Sequence, residues 1–299
     1  MTRFLRIEDD AIGARTGLTM SERSLKLGLS THSVTEAPMY PELNGKVVVV
    51  TGGSRGIGAD TARAFAAEGA RVAVLGRDRD ALDRVAKETG GIGAVADVTD
   101  FAALEEARRR VEAELGPAAV LCAFAGGGIA RPGPTAAMTE EEWHSVVDGN
   151  LTATFLTLKS FLPGMQERGD GSIVTMSSSA GRMPSNLPNG GGRDMGNPWG
   201  APVAYEAAKA GIQALTRHVA AEVGEHGVRV NCVAPATIRT ERTGRYMPQD
   251  VQDRVAAAHP LGRIGETRDV AGAALFLASG QSSWLTGLTI DIAGGKVML

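Results

Sequence analysis

The sequence predicts an α/β fold: a single domain built on a doubly wound parallel sheet with helices on both faces. Short runs of Val, Ile and Leu alternate along the chain with longer segments whose apolar residues recur at helical spacing. Strands that are apolar on both faces are typical of parallel sheets covered by helices on both sides. A glycine-rich turn also follows the first of these runs, and such sheets bind ligands beyond the carboxyl ends of their strands.

The order of the elements follows from these runs and from the residues that bound them. Residues 47–51 form the first predicted strand, and residues 56–68 carry apolar side chains at helical spacing after it. The longest predicted helix, 139–162, ends where Pro163 and Gly164 interrupt the pattern. Right-handed crossovers between the strands give the doubly wound arrangement of the Rossmann type. The other strands are 71–75, 92–96, 118–124, 172–176, 228–233 and 288–292, and the other helices are 78–89, 99–115, 203–223 and 268–278.

The composition is typical of a globular protein. Of the 299 residues 43% are apolar, and a formal net charge of −3 provides no basic surface for nucleic acid. No apolar stretch approaches the roughly 20 residues of a membrane helix, and the N-terminal residues contain no apolar signal segment. Cys122 and Cys232 lie in apolar strands, as expected for buried thiols in a reducing compartment. We therefore expect a cytoplasmic protein without nucleic-acid, membrane or metal partners, since the histidines also lack metal-ligand spacing.

A glycine-rich segment, from Thr51 to Gly58, lies between the first strand and the first helix. Glycines there let the backbone approach a pyrophosphate, and the following helix offers free N–H groups and the positive end of its dipole. A plain tight turn would also use glycines, but the strand before it and the helix after it favour a dinucleotide site. The residues predicted to contact the cofactor in this loop are Gly52, Ser54, Arg55, Gly56, Ile57 and Gly58.

The end of the second strand bears on which nicotinamide cofactor is bound. NAD enzymes of this fold usually have an acidic residue there that binds the ribose 2′-hydroxyl, whereas this chain has Leu75-Gly76-Arg77. The guanidinium groups of Arg55 and Arg77 suit the 2′-phosphate of NADP(H). Two alternatives stay open: both arginines are solvated surface residues, or Asp78 contacts the ribose of NAD(H) instead. The prediction is NADP(H), with NAD(H) as the second candidate.

Three polar features predict acid–base chemistry. Tyr205 and Lys209 are four residues apart in a predicted helix, so their side chains lie on one face. A neighbouring ammonium favours the ionised form of a phenol, which makes the pair a tuned proton donor and acceptor. A Tyr-x3-Lys spacing also arises by chance, but here a strand ending in three serine hydroxyls precedes it. Asn150 lies inside the predicted helix 139–162, where asparagine is unfavourable and cannot act as a cap, which favours a functional role.

Taken in chain order, these motifs resemble the short-chain dehydrogenase/reductase family, in particular its 3-oxoacyl-carrier-protein-reductase-like branch. The resemblance rests on the spacing Thr-Gly-x3-Gly-x-Gly, the serine-terminated strand and the Tyr-x3-Lys pair, and it covers about residues 44–296. It implies that Ser178 orients the substrate carbonyl, with Ser177 as the second candidate. It also implies that Asn150 holds a water that relays protons to Lys209. The catalytic residues are then Asn150, Ser178, Tyr205 and Lys209.

The same resemblance extends the cofactor site beyond the glycine-rich loop. It places Asp97 and Val98 at the adenine, and Ile238 and Thr240 at the nicotinamide carboxamide. The residues that it adds to the site are Asp97, Val98, Ala125, Gly126, Tyr205, Lys209, Pro235, Ile238 and Thr240.

Two positions depart from the family's pattern. The fourth strand ends in Ala-Phe-Ala-Gly at 123–126, where the family usually has Asn-Asn-Ala-Gly. The missing asparagines put in doubt a hydrogen bond that normally ties the sheet together. After the sixth strand, Pro235-Ala236 replaces the usual Pro-Gly, which restricts the local backbone without abolishing cofactor binding.

These residues predict an oxidoreductase that transfers a hydride between NADP(H) and a carbonyl or alcohol substrate, with Tyr205 as general acid and base. Two alternatives stay open: a catalytically silent nucleotide-sensing protein, and an epimerase or lyase that uses the cofactor transiently. The substrate is a small molecule that the sequence does not identify. The resemblance also implies a homodimer or homotetramer assembled through the helices 139–162 and 203–223.

Two segments differ in composition from the predicted domain. Residues 1–44 mix acidic and basic residues without apolar periodicity, so we expect a weakly ordered arm, with regular structure beginning near Lys46. Residues 45–299 form the dinucleotide-binding catalytic domain. Within it, residues 182–202 are rich in glycine and proline, and we expect them to form a loop at the rim of the active site, either a lid or a solvated insertion. A lid would use Met183, Leu187, Met195 and Trp199 against a bulky substrate.

Overall fold

A parallel sheet with helices on both sides forms the body of the protein. The computed structural model describes residues 38–127, 130–185 and 200–298. The strands are β1 (Val47–Thr51), β2 (Arg71–Gly76), β3 (Ile92–Val95), β4 (Val120–Ala123), β5 (Gly171–Met176), β6 (Val228–Pro235), β7 (Ile238–Arg239), β8 (Gly265–Glu266) and β9 (Thr289–Ile292). Seven of them form the sheet in the order β3-β2-β1-β4-β5-β6-β9, and β7 pairs with β8 separately.

The strand order confirms the predicted doubly wound fold. Neighbouring strands of the sheet pair in parallel throughout. The chain runs outward from β1 to β3, then returns to β4 beside β1 and runs outward in the other direction. Such a reversal opens a crevice at the carboxyl ends of the two central strands, where ligands of this fold bind. The candidate site is therefore expected at the ends of β1, β4 and β5.

Helices cover both faces of the sheet. They are α1 (Gly56–Ala67), α2 (Arg79–Thr89), α3 (Phe101–Leu115), α4 (Glu140–Val147), α5 (Ala153–Arg168), α6 (Val203–Val223), α7 (Glu241–Tyr246), α8 (Gln249–Ala257) and α9 (Thr267–Ala278). Alternate residues of β1 separate the two layers of the core, because successive side chains of a strand point to opposite faces. Val48 and Val50 pack in the cluster that includes α1 and α9, whereas Val47 and Val49 pack in the cluster that includes α3, α5 and α6.

The predicted helix 139–162 is wrong in two respects. It is interrupted by a wider π-helical turn, Asp148–Thr152, between α4 and α5. It also continues through Pro163 to Arg168, and the following Gly169, whose φ is 68°, caps the helix. The hydrogen bond lost at a helical proline is offset because the neighbouring Leu162 and Met165 are buried against the sheet.

Short elements between the sixth and last strands of the sheet were not predicted. They are the strands β7 and β8 and the helices α7 and α8. The strands have two residues each, too few for any alternation, and α8 buries only Gln252 and Val255. The four elements lie between β6 and α9 in the chain, and Ile238 of β7 and Val255 of α8 are buried.

The packed body begins before Lys46, earlier than the sequence predicts. Tyr40 and Leu43 are buried in the core, and the Tyr40 amide donates to the Glu68 carboxylate at 2.7 Å. Residues 1–37 of the predicted arm lie outside the described residues, so the arm stays a prediction. No helix in the described part of the chain has the length and apolar character needed to cross a membrane.

Candidate active site

The turn between β1 and α1 is packed so closely that it requires glycine. A Cβ atom at Gly52, where φ is 69°, would lie 2.9 Å from the Cα of Ala125. At Gly58 a Cβ atom would lie 2.3 Å from the carbonyl oxygen of Gly52. The turn therefore folds tightly against the end of β4 and against itself, which leaves the amino end of α1 with a bare backbone surface. This surface is suited to a pyrophosphate.

A side chain of β1 holds the end of β4 in place. The buried Thr51 hydroxyl oxygen accepts a hydrogen bond from the Ala125 amide at 3.1 Å. Phe124, at a position where the family usually has asparagine, is buried in the apolar core instead. Thr51 thus supplies a tie between the ends of two central strands, although the asparagines are missing.

The arginines predicted to select the cofactor are exposed and paired with carboxylates. Arg55 contacts Asp78, and its side chain is 61% exposed. Arg77 lies 3.8 Å from the Asp97 carboxylate and is 82% exposed. Asp78 also caps α2, because its other oxygen accepts from the Ala81 amide at 3.0 Å. Positive and negative charges therefore both stand at the ends of β2 and β3.

Asp97 is held as a carboxylate at the end of β3. Its Oδ1 atom accepts hydrogen bonds from the Thr99 amide at 3.0 Å and from the Thr99 hydroxyl at 2.7 Å. These bonds, with a smaller contribution from Arg77, hold the pKa of Asp97 below its usual value. Val98 is half-buried beside it.

Lys209 is buried between the ends of β4 and β5. Its ammonium donates to the carbonyl oxygen of Met176 at 3.0 Å and lies 5.5 Å from the centre of the Tyr205 ring. Tyr205 is half-buried on the same face of α6. Burial of the lysine is compatible with its charge because a backbone carbonyl of β5 and the face of the phenol ring both stabilise a cation.

The π-helical turn presents Asn150 toward this lysine. Asn150 is fully buried, and its side-chain amide donates to the carbonyl oxygen of Val146 at 2.8 Å. Its side-chain oxygen accepts no hydrogen bond from the described residues. A Cβ atom at Gly126 would lie 2.9 Å from that oxygen and 3.5 Å from the Lys209 ammonium nitrogen. Gly126 therefore keeps open the space into which both polar groups point.

The two serines after β5 differ in what their hydroxyls do. Ser177 is buried, donates to the carbonyl oxygen of Lys209 at 2.7 Å, and accepts from the Gln213 amide at 2.8 Å. Ser178 is half-buried and accepts from the Ala180 amide at 3.2 Å, so its proton is still available to a ligand. This geometry favours Ser178 over Ser177 as the residue that binds substrate.

The segment after β6 reaches across to the glycine-rich turn. Pro235 ends β6 and Ile238 is buried in the core. Thr240 caps α7 by accepting from the Thr243 amide at 3.2 Å, and its methyl carbon would lie 3.4 Å from a Cβ atom at Gly56. The turn that starts α1 and the turn that starts α7 therefore line the same crevice.

Comparisons with known proteins identify the family. A family model described as enoyl-(acyl carrier protein) reductase matches residues 52–296. A protein of Sinorhizobium fredii, named as an uncharacterized short-chain type dehydrogenase/reductase, is 37% identical over 264 residues, which cover 86% of this chain and 99% of the relative. The 3-oxoacyl-[acyl-carrier-protein] reductase FabG of Escherichia coli is 34% identical over 257 residues, which cover 85% of this chain and 98% of the relative. The chain belongs to the short-chain dehydrogenase/reductase family.

A solved structure agrees with this assignment. The crystal structure of a 3-oxoacyl-[acyl-carrier protein] reductase with bound NAD from Brucella melitensis is similar with a TM-score of 0.75 at 32% identity. The match covers 89% of this chain and 96% of that one. The predicted family and its reductase-like branch are thereby confirmed. The protein is an oxidoreductase of this family, acting on carbonyl or alcohol groups.

The structure gathers the predicted residues into two groups within this short-chain dehydrogenase/reductase fold. One group surrounds Lys209 at the ends of β4 and β5, and the other lies at the ends of β2 and β3. The first comprises Asn150, Ser178, Tyr205, Lys209, Ala125 and Gly126, and the second comprises Arg77, Asp97 and Val98. The turn from Gly52 to Gly58, with Ser54, Arg55 and Ile57, lies between them beside Thr240.

Three residues of this region were not predicted. Arg182 forms a bidentate ion pair with Asp291 and also donates to Gln213. The signal for Gln213 was available, because it lies four residues after Lys209 and is a polar residue on the buried face of α6. Arg182 is the first residue of the insertion 182–202, where no helix or strand is predicted, so no spacing pattern indicates what its side chain contacts.

The predicted insertion 182–202 is described only at its ends. Leu187, Met195 and Trp199, which the predicted lid would use, lie outside the described residues. At the ends, the Ser185 amide donates to the Glu206 carboxylate at 2.8 Å, and the Ser185 hydroxyl contacts both Glu206 and the Ala201 amide. The two ends of the insertion are thus tied together beside α6.

Proposed function

We propose that the chain is an NADP(H)-dependent oxidoreductase that interconverts a carbonyl and an alcohol, with Tyr205 as general acid and base. The observation that carries this proposal is the position of Lys209. Its ammonium lies beside the Tyr205 ring, and it shares with the Asn150 side-chain oxygen the space next to Gly126. A phenol, an ammonium and an amide oxygen in this arrangement are suited to moving a proton.

The residues present fit a nicotinamide dinucleotide. The closely packed turn at Gly52 and Gly58 offers a bare backbone surface for the pyrophosphate, because any side chain there would clash. The relative from Brucella melitensis carries bound NAD, which supports a nicotinamide dinucleotide here as well. When bound, this cofactor supplies or accepts the hydride. Pro235, Ile238 and Thr240 would hold its nicotinamide end.

The chain's own residues would handle the oxygen of the substrate. During reduction Ser178 donates a hydrogen bond to the carbonyl oxygen, which stabilises the negative charge that develops there. Tyr205 donates its phenolic proton to the same oxygen. Lys209 favours the phenolate that results, because its positive charge lies close to the ring. Asn150 accepts a hydrogen bond from a water that returns a proton through Lys209, and oxidation of an alcohol runs the same steps backwards.

The choice of NADP(H) rests on Arg55 and Arg77. Both guanidinium groups stand at the end of β2, where a 2′-phosphate would compete with Asp78 for Arg55. Asp78 supports the second candidate, NAD(H), because its carboxylate could accept a hydrogen bond from a ribose hydroxyl. Asp97 and Val98 would contact the adenine in either case.

Turnover with a panel of substrates tests the proposed function. Purified protein is mixed with NADPH or NADH and with simple ketones, 3-oxoacyl thioesters, sugars or quinones, and cofactor consumption is followed by absorbance. We expect at least one carbonyl to be reduced, faster with NADPH, and no reduction by Tyr205→Phe. Cofactor binding without consumption by any carbonyl would instead support a nucleotide-sensing protein. Substrate conversion without net cofactor consumption would support an epimerase or lyase.

We also propose a homodimer or homotetramer. Trp143 on α4 and Phe155 on α5 are large apolar side chains that are 38% and 48% exposed. Together with α6 they belong to the helices that the family resemblance assigns to assembly, and a second copy would cover them. Light scattering at micromolar concentration should report a dimer or tetramer, and a monomer would contradict the proposal.

A further inference from the structure

A chain of hydrogen-bonded side chains runs behind the candidate catalytic residues. The Asp291 carboxylate on β9 binds Arg182 through two bonds, of 2.9 Å to Nε and 3.0 Å to Nη2. Arg182 Nη1 donates to the Gln213 side-chain oxygen at 3.4 Å, and the Gln213 amide donates to Ser177 at 2.8 Å. Ser177 in turn donates to the carbonyl oxygen of Lys209 at 2.7 Å.

This network joins the end of β5, the helix α6 and the strand β9. Ser177 precedes Ser178 at the end of β5, Asp291 lies on β9, and Gln213 and Lys209 lie on α6, which also carries Tyr205. The backbone after β5 touches α6 directly, since a Cβ atom at Gly181 would lie 2.6 Å from the carbonyl carbon of Lys209. The side-chain network therefore bridges the two elements at the same place where their backbones meet.

The anchor of the network is paired into the sheet and largely withdrawn from water. β9 is held in the sheet by its pairing with β6. The side chains of Arg182 and Asp291 are only 18% and 14% exposed. A bidentate arginine–carboxylate pair fixes orientation as well as distance. Replacing a buried ion pair by apolar residues often leaves stability unchanged, so stability alone gives a weak account of this pair.

The proposed chemistry requires a fixed spacing between these elements. Ser178 and Tyr205 must bind the same carbonyl oxygen, yet Ser178 follows the end of β5 whereas Tyr205 lies on α6. We propose that Arg182 is a positioning residue that sets the spacing between Ser178 and Tyr205, acting through Gln213 and Ser177 and anchored on Asp291. This inference rests on the proposed function, because it assigns Arg182 to the geometry of that carbonyl-binding pair.

The first test compares Arg182→Met with a matched control. Arg108 on α3 also pairs with carboxylates, of Glu105 and Glu112, and is 25% exposed, so Arg108→Met removes a similar ion pair far from the site. With an acetoacetyl thioester, or the carbonyl that the panel shows to react fastest, Arg182→Met should lower kcat about 10- to 100-fold, as expected for a displacement of about 1 Å. The Kd for NADPH should change little, whereas the Tm should fall because the substitution leaves the largely buried Asp291 carboxylate without its partner, so kcat is compared at a temperature where both variants are folded. Arg108→Met should keep normal kcat.

The second test asks whether Arg182 acts through Ser178. In a Ser178→Ala background the spacing no longer matters, so Arg182→Met should lower kcat by less than about twofold further. The same fold loss in both backgrounds would indicate a merely structural role and would overturn the inference. Gln213→Leu should reproduce the effects of Arg182→Met, and it replaces that variant if the latter fails to fold.

The failure of this inference is distinguishable from failure of the proposed function. If Tyr205→Phe is inactive while Arg182→Met and Gln213→Leu keep normal kcat, only the positioning role is overturned. If Tyr205→Phe itself keeps near-normal kcat, the proposed function fails, and the role of Arg182 fails with it.

Discussion

The two ends of the candidate site are built in different ways. Around Lys209 the polar side chains are buried or half-buried and are bonded to backbone groups, as Ser177 and Asn150 are. At the ends of β2 and β3, Arg55 and Arg77 are exposed and paired with opposite charges. Fixed geometry suits proton transfer, which tolerates little displacement. Exposed ion pairs are worth little energy and rearrange easily, which suits recognition of a ribose or its phosphate.

The largest effect should come from the centre of the buried end. Lys209→Ala should lower turnover about 10³-fold, within the range of lost acid–base catalysis, and weaken NADPH binding about tenfold through loss of a charged hydrogen bond. Lys159→Ala on α5 is the control, because this exposed lysine lies over the Phe101 ring, away from the site. Steady-state kinetics and calorimetric titration measure both quantities. An unchanged turnover for Lys209→Ala would contradict the claim that the buried end of the site carries out the proton transfer.

The adjacent serines sharpen the comparison within the buried end. Ser178→Ala should lower kcat about 10²-fold, because it removes a donor to the developing oxyanion. Ser177→Ala should lower stability by about 1–3 kcal/mol, since it leaves buried partners without a hydrogen bond, and should affect kcat less than Ser178→Ala. Kinetics and denaturant unfolding of both variants test this. A larger kcat loss for Ser177→Ala would reverse the assignment.

At the exposed end we expect altered preference rather than lost activity. Arg77→Asp should shift the ratio of kcat/KM for NADPH and NADH about 10- to 100-fold toward NADH, because it replaces attraction to a 2′-phosphate by repulsion. The control is Arg79→Asp, which alters an exposed arginine on α2 beyond the end of β2. Equal efficiency of the wild-type enzyme with both cofactors would contradict the proposed role of the arginines.

Thr51 lies where the two ends meet, and its effect should be the smallest. Thr51→Val keeps the shape of the side chain but removes the acceptor of the Ala125 amide, which should cost about 1 kcal/mol of stability. Urea unfolding measures this loss. A stability equal to that of the wild type would show that the tie between β1 and β4 is unimportant.

The sequence predicted the sheet well for a physical reason. Strands such as β1 consist of branched apolar residues on both faces, a pattern that few other elements share. The Tyr-x3-Lys spacing likewise fixes a helical face in any context, so Tyr205 and Lys209 could be placed together before the structure. The choice between Ser177 and Ser178 could not be made from residue type or spacing, because adjacent hydroxyls differ only in the direction in which the strand points them.

Other features depend on contacts that no local pattern encodes. The helix continues through Pro163 because burial of its neighbours against the sheet outweighs one lost hydrogen bond. The sequence predicts a regular helix around Asn150, whereas the structure has a π-helical turn there, and π-helical turns are frequent at functional sites. Arg55 and Asp78, which the sequence analysis assigned to alternative cofactors, form an ion pair with each other, and this contact between two separate turns depends on how the turns pack.

The most direct test of the account is the turnover and cofactor affinity of Tyr205→Phe. The substitution removes only the phenolic hydroxyl and leaves the ring beside Lys209. We expect kcat to fall about 10³-fold, within the range for loss of a general acid, while the Kd for NADPH stays within about twofold of wild type because the ring and Lys209 remain. Near-normal kcat in Tyr205→Phe would show that another group donates the proton and would contradict the proposed mechanism.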